Sequence, residues 1–123
     1  MNPSQKHILV VEDDDGNREL IQELLTFQGY QAVGADSGKQ AISQLREHPI
    51  DLILMDISLP DTTGLALMKR IRTEEHLPNI PIIALTAHVR PADAEAAIAA
   101  GANSHIPKPV QIQHLLSEID RNL

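Results

Sequence analysis

At 123 residues the chain is sized for one domain, and its formal net charge of -7 has the wrong sign for a grip on nucleic-acid phosphates, so no direct nucleic-acid binding is expected. The absence of Cys excludes disulfides, thiolate metal sites and Cys nucleophiles, and with Phe27 and Tyr30 as the only aromatics the core must be aliphatic. Met1 to His7 lacks a signal-peptide apolar core and no apolar run reaches membrane-spanning length, so a cytoplasmic protein with no membrane partner is expected.

His7 to Val11 is a short, β-branched apolar run and reads as a strand. Asp14, Asp15 and Asn17 suit a helix start; Leu20, Ile21, Leu24 and Leu25 follow at helical spacing, and Gly29 closes the helix. Tyr30 to Ala35 is a second strand. Ser37 is placed to cap a helix carrying Ala41, Ile42 and Leu45, which Pro49 ends. Ile50 to Met55 is apolar on both faces, as a central parallel strand covered by helices must be. Pro60 and Gly64 punctuate a loop before a helix with Leu65, Leu67, Met68 and Ile71. Ile80 to Leu85 is a fourth strand, Pro91 opens an Ala-rich helix through Ala100, and Gly101 suits its C-cap. A short strand ends near Ile106, and Val110, Leu115, Leu116 and Ile119 give a last helix. Strands alternating with helices imply crossover units and a parallel sheet.

The polar residues that end the apolar runs are Glu12 and Asp13, Asp56, Thr86 and Lys108. Open parallel sheets bind ligands at the carboxyl ends of their strands, so these side chains are expected to converge. Each pair of like charges ~4 Å apart is repulsive by about 4 kcal/mol at an effective dielectric near 20. Bound protons, Lys108 or a divalent cation must offset that. Mg2+ suits an all-oxygen set beside a phosphate, and the lack of His or Cys among these residues argues against zinc. Asp56 then has the character of a nucleophile toward a phosphoryl donor, with Lys108 neutralising the transferring oxygens, Thr86 donating a hydrogen bond and Ala87 leaving room. Singly, each residue has a plainer reading: acids at a helix start, a turn Asp, a strand hydroxyl, a solvated Lys. Their joint placement at strand ends favours a site.

Val10-Val11-Glu12-Asp13, the run from Asp51 to Pro60, Gly64, the run from Pro81 to Ala87, Ala100-Gly101-Ala102 and Lys108-Pro109 together resemble the response-regulator receiver domain of two-component and phosphorelay systems. The similarity spans essentially the whole sequence. It implies a flavodoxin-like, doubly wound (βα)5 α/β fold, with five parallel strands in order 2-1-3-4-5 and five helices, as a single receiver domain over residues 1–123 without an output domain. It also implies that Asp56 is the phosphoacceptor and that Mg2+ is held by Asp13, Asp56 and the backbone carbonyl of Ser58, with Glu12 acting through water on the ion. Lys108 would pair with Asp56 or the phosphoryl group, Ile57 and Ala87 would contact that group through their backbone, and Lys108-Pro109 would be cis.

The donor implied is a phosphohistidine on a histidine kinase or histidine phosphotransfer protein, and the output a downstream protein met by the face of the fourth helix, fifth strand and fifth helix. Thr86 would swing inward on phosphorylation. His105 stands where the family carries a switching Tyr or Phe, so the imidazole is the expected switch partner here. Such a chain is not a turnover enzyme; it phosphorylates itself from a donor and dephosphorylates itself. The rivals are an aspartyl-phosphate phosphohydrolase, which in the haloacid-dehalogenase type wants an Asp where Ser58 stands, a flavodoxin-like cofactor carrier, disfavoured by the acidic turn after Val11, and a partner-binding pseudo-receiver, which would have lost site residues.

Overall fold

The computed structural model describes residues 6–57, 59, 61–74, 77, 79–86 and 91–123. In chain order the elements are β1 (His7–Val11), α1 (Asp15–Phe27), β2 (Gln31–Ala35), α2 (Gly38–Glu47), β3 (Leu52–Asp56), α3 (Gly64–Thr73), β4 (Ile82–Thr86), α4 (Pro91–Ala100), β5 (Ser104–Pro107) and α5 (Ile112–Asn122). The strands form one parallel sheet in the order β2-β1-β3-β4-β5, as expected. The chain moves outward from β1 to β2, then returns to place β3 on the other side of β1. The switch point where ligands bind in such sheets therefore lies between β1 and β3.

Alternate residues of each strand face opposite sides of the sheet, and the core divides accordingly. Leu9, Val11, Ile53, Met55, Ile82 and Ala84 pack with Ile42 and Leu45 of α2, Leu67, Met68 and Ile71 of α3, and Ala97 and Ala100 of α4. Ile8, Val10, Leu52, Leu54, Ile83, Leu85 and Ile106 pack with Ile21 and Leu25 of α1 and with Leu115 and Ile119 of α5. β1, β3 and β4 are almost wholly buried because both of their faces are covered, which is why they read as unbroken apolar runs.

Strand bounds shift by a residue or two from the sequence reading. Asp51 donates from its backbone to the His7 carbonyl at 2.7 Å, and the paired register begins at Ile8 with Leu52. Ile50 is therefore buried but outside the ladder. β3 and β4 each run one residue further than expected, so Asp56 and Thr86 are themselves strand residues. Helix starts follow the sequence: Asp14 accepts from the Asn17 backbone N–H and Ser37 from that of Gln40. After α1 the chain reverses at Gly29, whose φ of 97° is in the left-handed region that glycine adopts without a Cβ clash. Among the described residues no helix is long and apolar enough to cross a membrane.

Candidate functional site

Each functional side chain is set by a local backbone feature. After β1 the ladder continues one step, with the Glu12 N–H donating to the Ala35 carbonyl at 3.0 Å, while Asp14 already caps α1. Glu12 and Asp13 are thus confined between a strand and a helix start. Asp56 ends β3 in register with Leu85. Thr86 ends β4 in register with Pro107, and its carbonyl accepts from the Lys108 N–H at 2.7 Å, which fixes where the lysine leaves β5. The Lys108–Pro109 peptide bond is cis, as the resemblance implied.

Gly64 closes the site from below. Its N–H donates to the Ile57 carbonyl at 2.6 Å, and a Cβ there would lie 2.6 Å from the Asp56 carbonyl oxygen and from the Ile57 Cα. Only a residue without a side chain lets α3 begin so close to the backbone that carries Asp56.

The structure brings Glu12, Asp13, Asp56 and Lys108 together. One carboxylate oxygen from each of Glu12, Asp13 and Asp56 lies within 4.8 Å of the others. Lys108 Nζ sits 3.1 Å from Asp56 Oδ1 and 3.4 Å from Glu12 Oε1. Glu12 and Asp56 are buried, at 2% and 4% exposure, with Thr86 at 5%, whereas Asp13 is open to solvent.

Burial raises the Glu12 carboxyl to about 7, and the adjoining Asp56 carboxylate adds to the rise against the opposing pull of Lys108. Burial lowers the Lys108 pKa, but hydrogen bonding and charge from Asp56, then Glu12, outweigh it and leave the ammonium above the ordinary lysine value. One cation among three carboxylates leaves excess negative charge. Consistently, Glu12 Oε2 is buried without a hydrogen-bond partner among the described residues. Hard oxygen donors, excess charge and an orphaned carboxylate oxygen all fit a divalent cation of the Mg2+ kind.

The Ser58 carbonyl and the Ala87 backbone lie outside the described residues. The Ile57 N–H donates to the Leu85 carbonyl at 3.3 Å, in the ladder that pairs Asp56 with Leu85. His105 is exposed on β5, in register with Ala84. Two supporting residues escaped the sequence reading. Asp61 accepts from the backbone N–H groups of Gly38 and Lys39 at 2.8 and 3.0 Å, tying the loop after β3 to the start of α2. Asn17 Nδ2 donates to Glu12 Oε1 at 3.3 Å. The only signal for either was its residue type, since an Asp in a loop and an Asn in a first helical turn are commonplace.

The family model of the response regulator receiver domain matches residues 8–120. The chain is 37% identical over 114 residues to the polar-differentiation response regulator DivK of Brucella ovis, covering 93% of each protein. Among solved structures, the chemotaxis protein CheY4 of Vibrio cholerae superposes with a TM-score of 0.90 at 27% identity, covering 98% of this chain and 100% of that one. The receiver domain of the sensor histidine kinase PA1611 of Pseudomonas aeruginosa, solved with a magnesium ion coordinated in its active site cleft, gives a TM-score of 0.86 at 34% identity, covering 97% of this chain and 98% of that one.

Proposed function

Because this chain belongs to the response regulator receiver domain family of two-component signalling, we propose that it is an Mg2+-dependent phosphoryl acceptor, taking the group onto Asp56 from a phosphohistidine of a histidine kinase or histidine phosphotransfer protein. The observation that carries this function is the Lys108 ammonium 3.1 Å from Asp56 Oδ1, beside a carboxylate cluster drawn within 4.8 Å. An Asp56 oxygen forms the new bond to phosphorus, and the phosphorus–nitrogen bond breaks with its electron pair going to the donor imidazole.

Asp13, Asp56 and Glu12 are the side chains that would hold the ion, with the Ser58 carbonyl completing the set. Bound Mg2+ supplies positive charge to the oxygens of the transferring group. Lys108 stays protonated and supplies a second positive charge from the β5 side. The buried Thr86 hydroxyl donates to a phosphoryl oxygen, as does the Ala87 backbone. The Leu52 to Met55 wall of β3 and the buried neighbours on β4 exclude water from beneath the carboxylate.

The chain acts as an acceptor and switch, not as a turnover enzyme. Its output is a population shift read by a downstream protein on the face of α4, β5 and α5. Movement at Thr86 has a direct route to that face, because its carbonyl holds the Lys108 N–H at 2.7 Å and its strand pairs with the one carrying the exposed His105.

Intact-mass measurement after incubation with Mg2+ and acetyl phosphate tests this function. The parent is expected to gain the mass of one phosphoryl group (about 80 Da), and Asp56→Asn none. An equal gain in the variant, or no gain in the parent, overturns the assignment of Asp56. Sustained release of inorganic phosphate over many turnovers per second would make the protein a hydrolase instead.

A further inference from the structure

We propose that Asn17 is a positioning residue for Glu12, holding one carboxylate oxygen so that the other is presented to the cation site. The assignment rests on the Mg2+-dependent function above and goes beyond it, to a residue outside the acceptor, the lysine and the carboxylate cluster.

Two groups hold the same oxygen of Glu12. Asn17 Nδ2 reaches Oε1 at 3.3 Å and Lys108 Nζ reaches it at 3.4 Å, while Oε2 stays buried and unpartnered among the described residues. An ionised carboxylate only accepts, so the amide must turn its NH2 toward it. The next residue, Arg18, donates from Nη1 to the Glu12 backbone carbonyl at 3.0 Å, so the first turn of α1 grips Glu12 at both its carbonyl and its side chain.

A glutamate has one more rotatable bond than an aspartate and loses more rotamer freedom when it is aimed. A second donor on Oε1 removes that freedom before the ion arrives. Among the described side chains that line this part of the site, Asn17 and Lys108 are the two that can donate to Glu12. Glu12, Asn17 and Lys108 line one end of a groove of about 500 Å3 between α1 and α5, and the rest of its lining, including Leu20, Ile21, Leu24, Leu85 and Leu115, is apolar. The Asn17 side chain has no part in capping the helix, since the bond to Asp14 comes from its backbone N–H.

That separation makes the side chain testable by itself. Asn17→Ala keeps the cap bond and puts a strong helix former at an exposed position, so folding is retained and is checked by thermal unfolding without Mg2+. Mg2+ affinity is read from amide NMR shifts of residues 12, 13 and 56 during titration. Asn17→Ala is expected to weaken binding about tenfold, the low end for residues that orient metal ligands. In a Glu12→Ala background, which still offers Asp13 and Asp56, the same substitution is expected to change nothing further. Unchanged affinity in Asn17→Ala, or an equal loss in the Glu12→Ala background, overturns the role of Asn17 while leaving the Mg2+-dependent function standing. A parent protein that takes up no Mg2+ overturns both.

Discussion

Glu12 carries an unfavourable charge: it is a carboxyl group at 2% exposure, next to a second buried carboxylate, with its pKa raised from 4.5 to about 7. The native state then keeps a proton that the unfolded chain has released. Its contribution to stability is whole below a pH of about 4.5 and is lost as pH rises through about 7, on the order of 3 kcal/mol. Mg2+ demands the ionised form, so its affinity moves the opposite way and strengthens over the same interval. In chelator, urea unfolding is expected to show a less stable protein at about pH 8 than at about pH 5, and Glu12→Gln to flatten much of that difference. A slope as steep in the variant as in the parent would assign the effect to other groups.

At the level of elements, the site depends on how α3 begins. Thr63 caps it by accepting from the Ala66 N–H at 3.0 Å, and Gly64 then passes within 2.6 Å, measured from an added Cβ, of the backbone at Asp56. Gly64→Ala has no flexible side-chain tip to push aside, only main chain. Overpacking of this kind costs about 1–3 kcal/mol. Because the displaced atoms carry Asp56, the variant is expected to lose acetyl-phosphate labelling more than its loss of stability explains, measured as rate per folded molecule. Labelling that tracks the folded fraction alone would show that the approach serves packing only.

α1 shows the opposite relation between sequence and surface. Its helical spacing is plain, yet Leu20 is 55% and Phe27 87% exposed, and only Ile21 and Leu25 are buried. Periodicity placed the helix but not the width of its buried stripe, which tertiary packing against the sheet sets.

Across the whole molecule, one side-chain network ties segments together at the end of the sheet opposite the site. Arg72, near the end of α3, donates to the carbonyls of Gly101 and Ile80 and to the side chains of Asn79 and Asn103. Asn103 in turn accepts from the Ile82 N–H at 2.9 Å. One guanidinium therefore joins α3, the start of β4 and the turn before β5, beside Gly101 with its φ of 124°. Arg72→Ala leaves several of these partly buried acceptors without a donor, and is expected to cost about 2–4 kcal/mol in urea unfolding. Mg2+ affinity of the folded protein is expected to stay unchanged, because the carboxylates lie at the other ends of the strands. A parallel loss of affinity would mean that the two ends are coupled.

The sequence by itself determined the alternation of elements, the burial of β3 on both faces, and the polar residues at the strand ends. Those properties are written in periods of two and of three to four residues and in the residues that break them. Tertiary structure alone decided which oxygen of Glu12 is held and which is left bare, that Asp61 clamps the start of α2 from 22 residues away, that Gly64 must pass the Asp56 backbone, and that Arg72 ties together three segments. Each of these turns on a separation of a few ångströms between atoms remote along the chain, and no local pattern encodes such a distance.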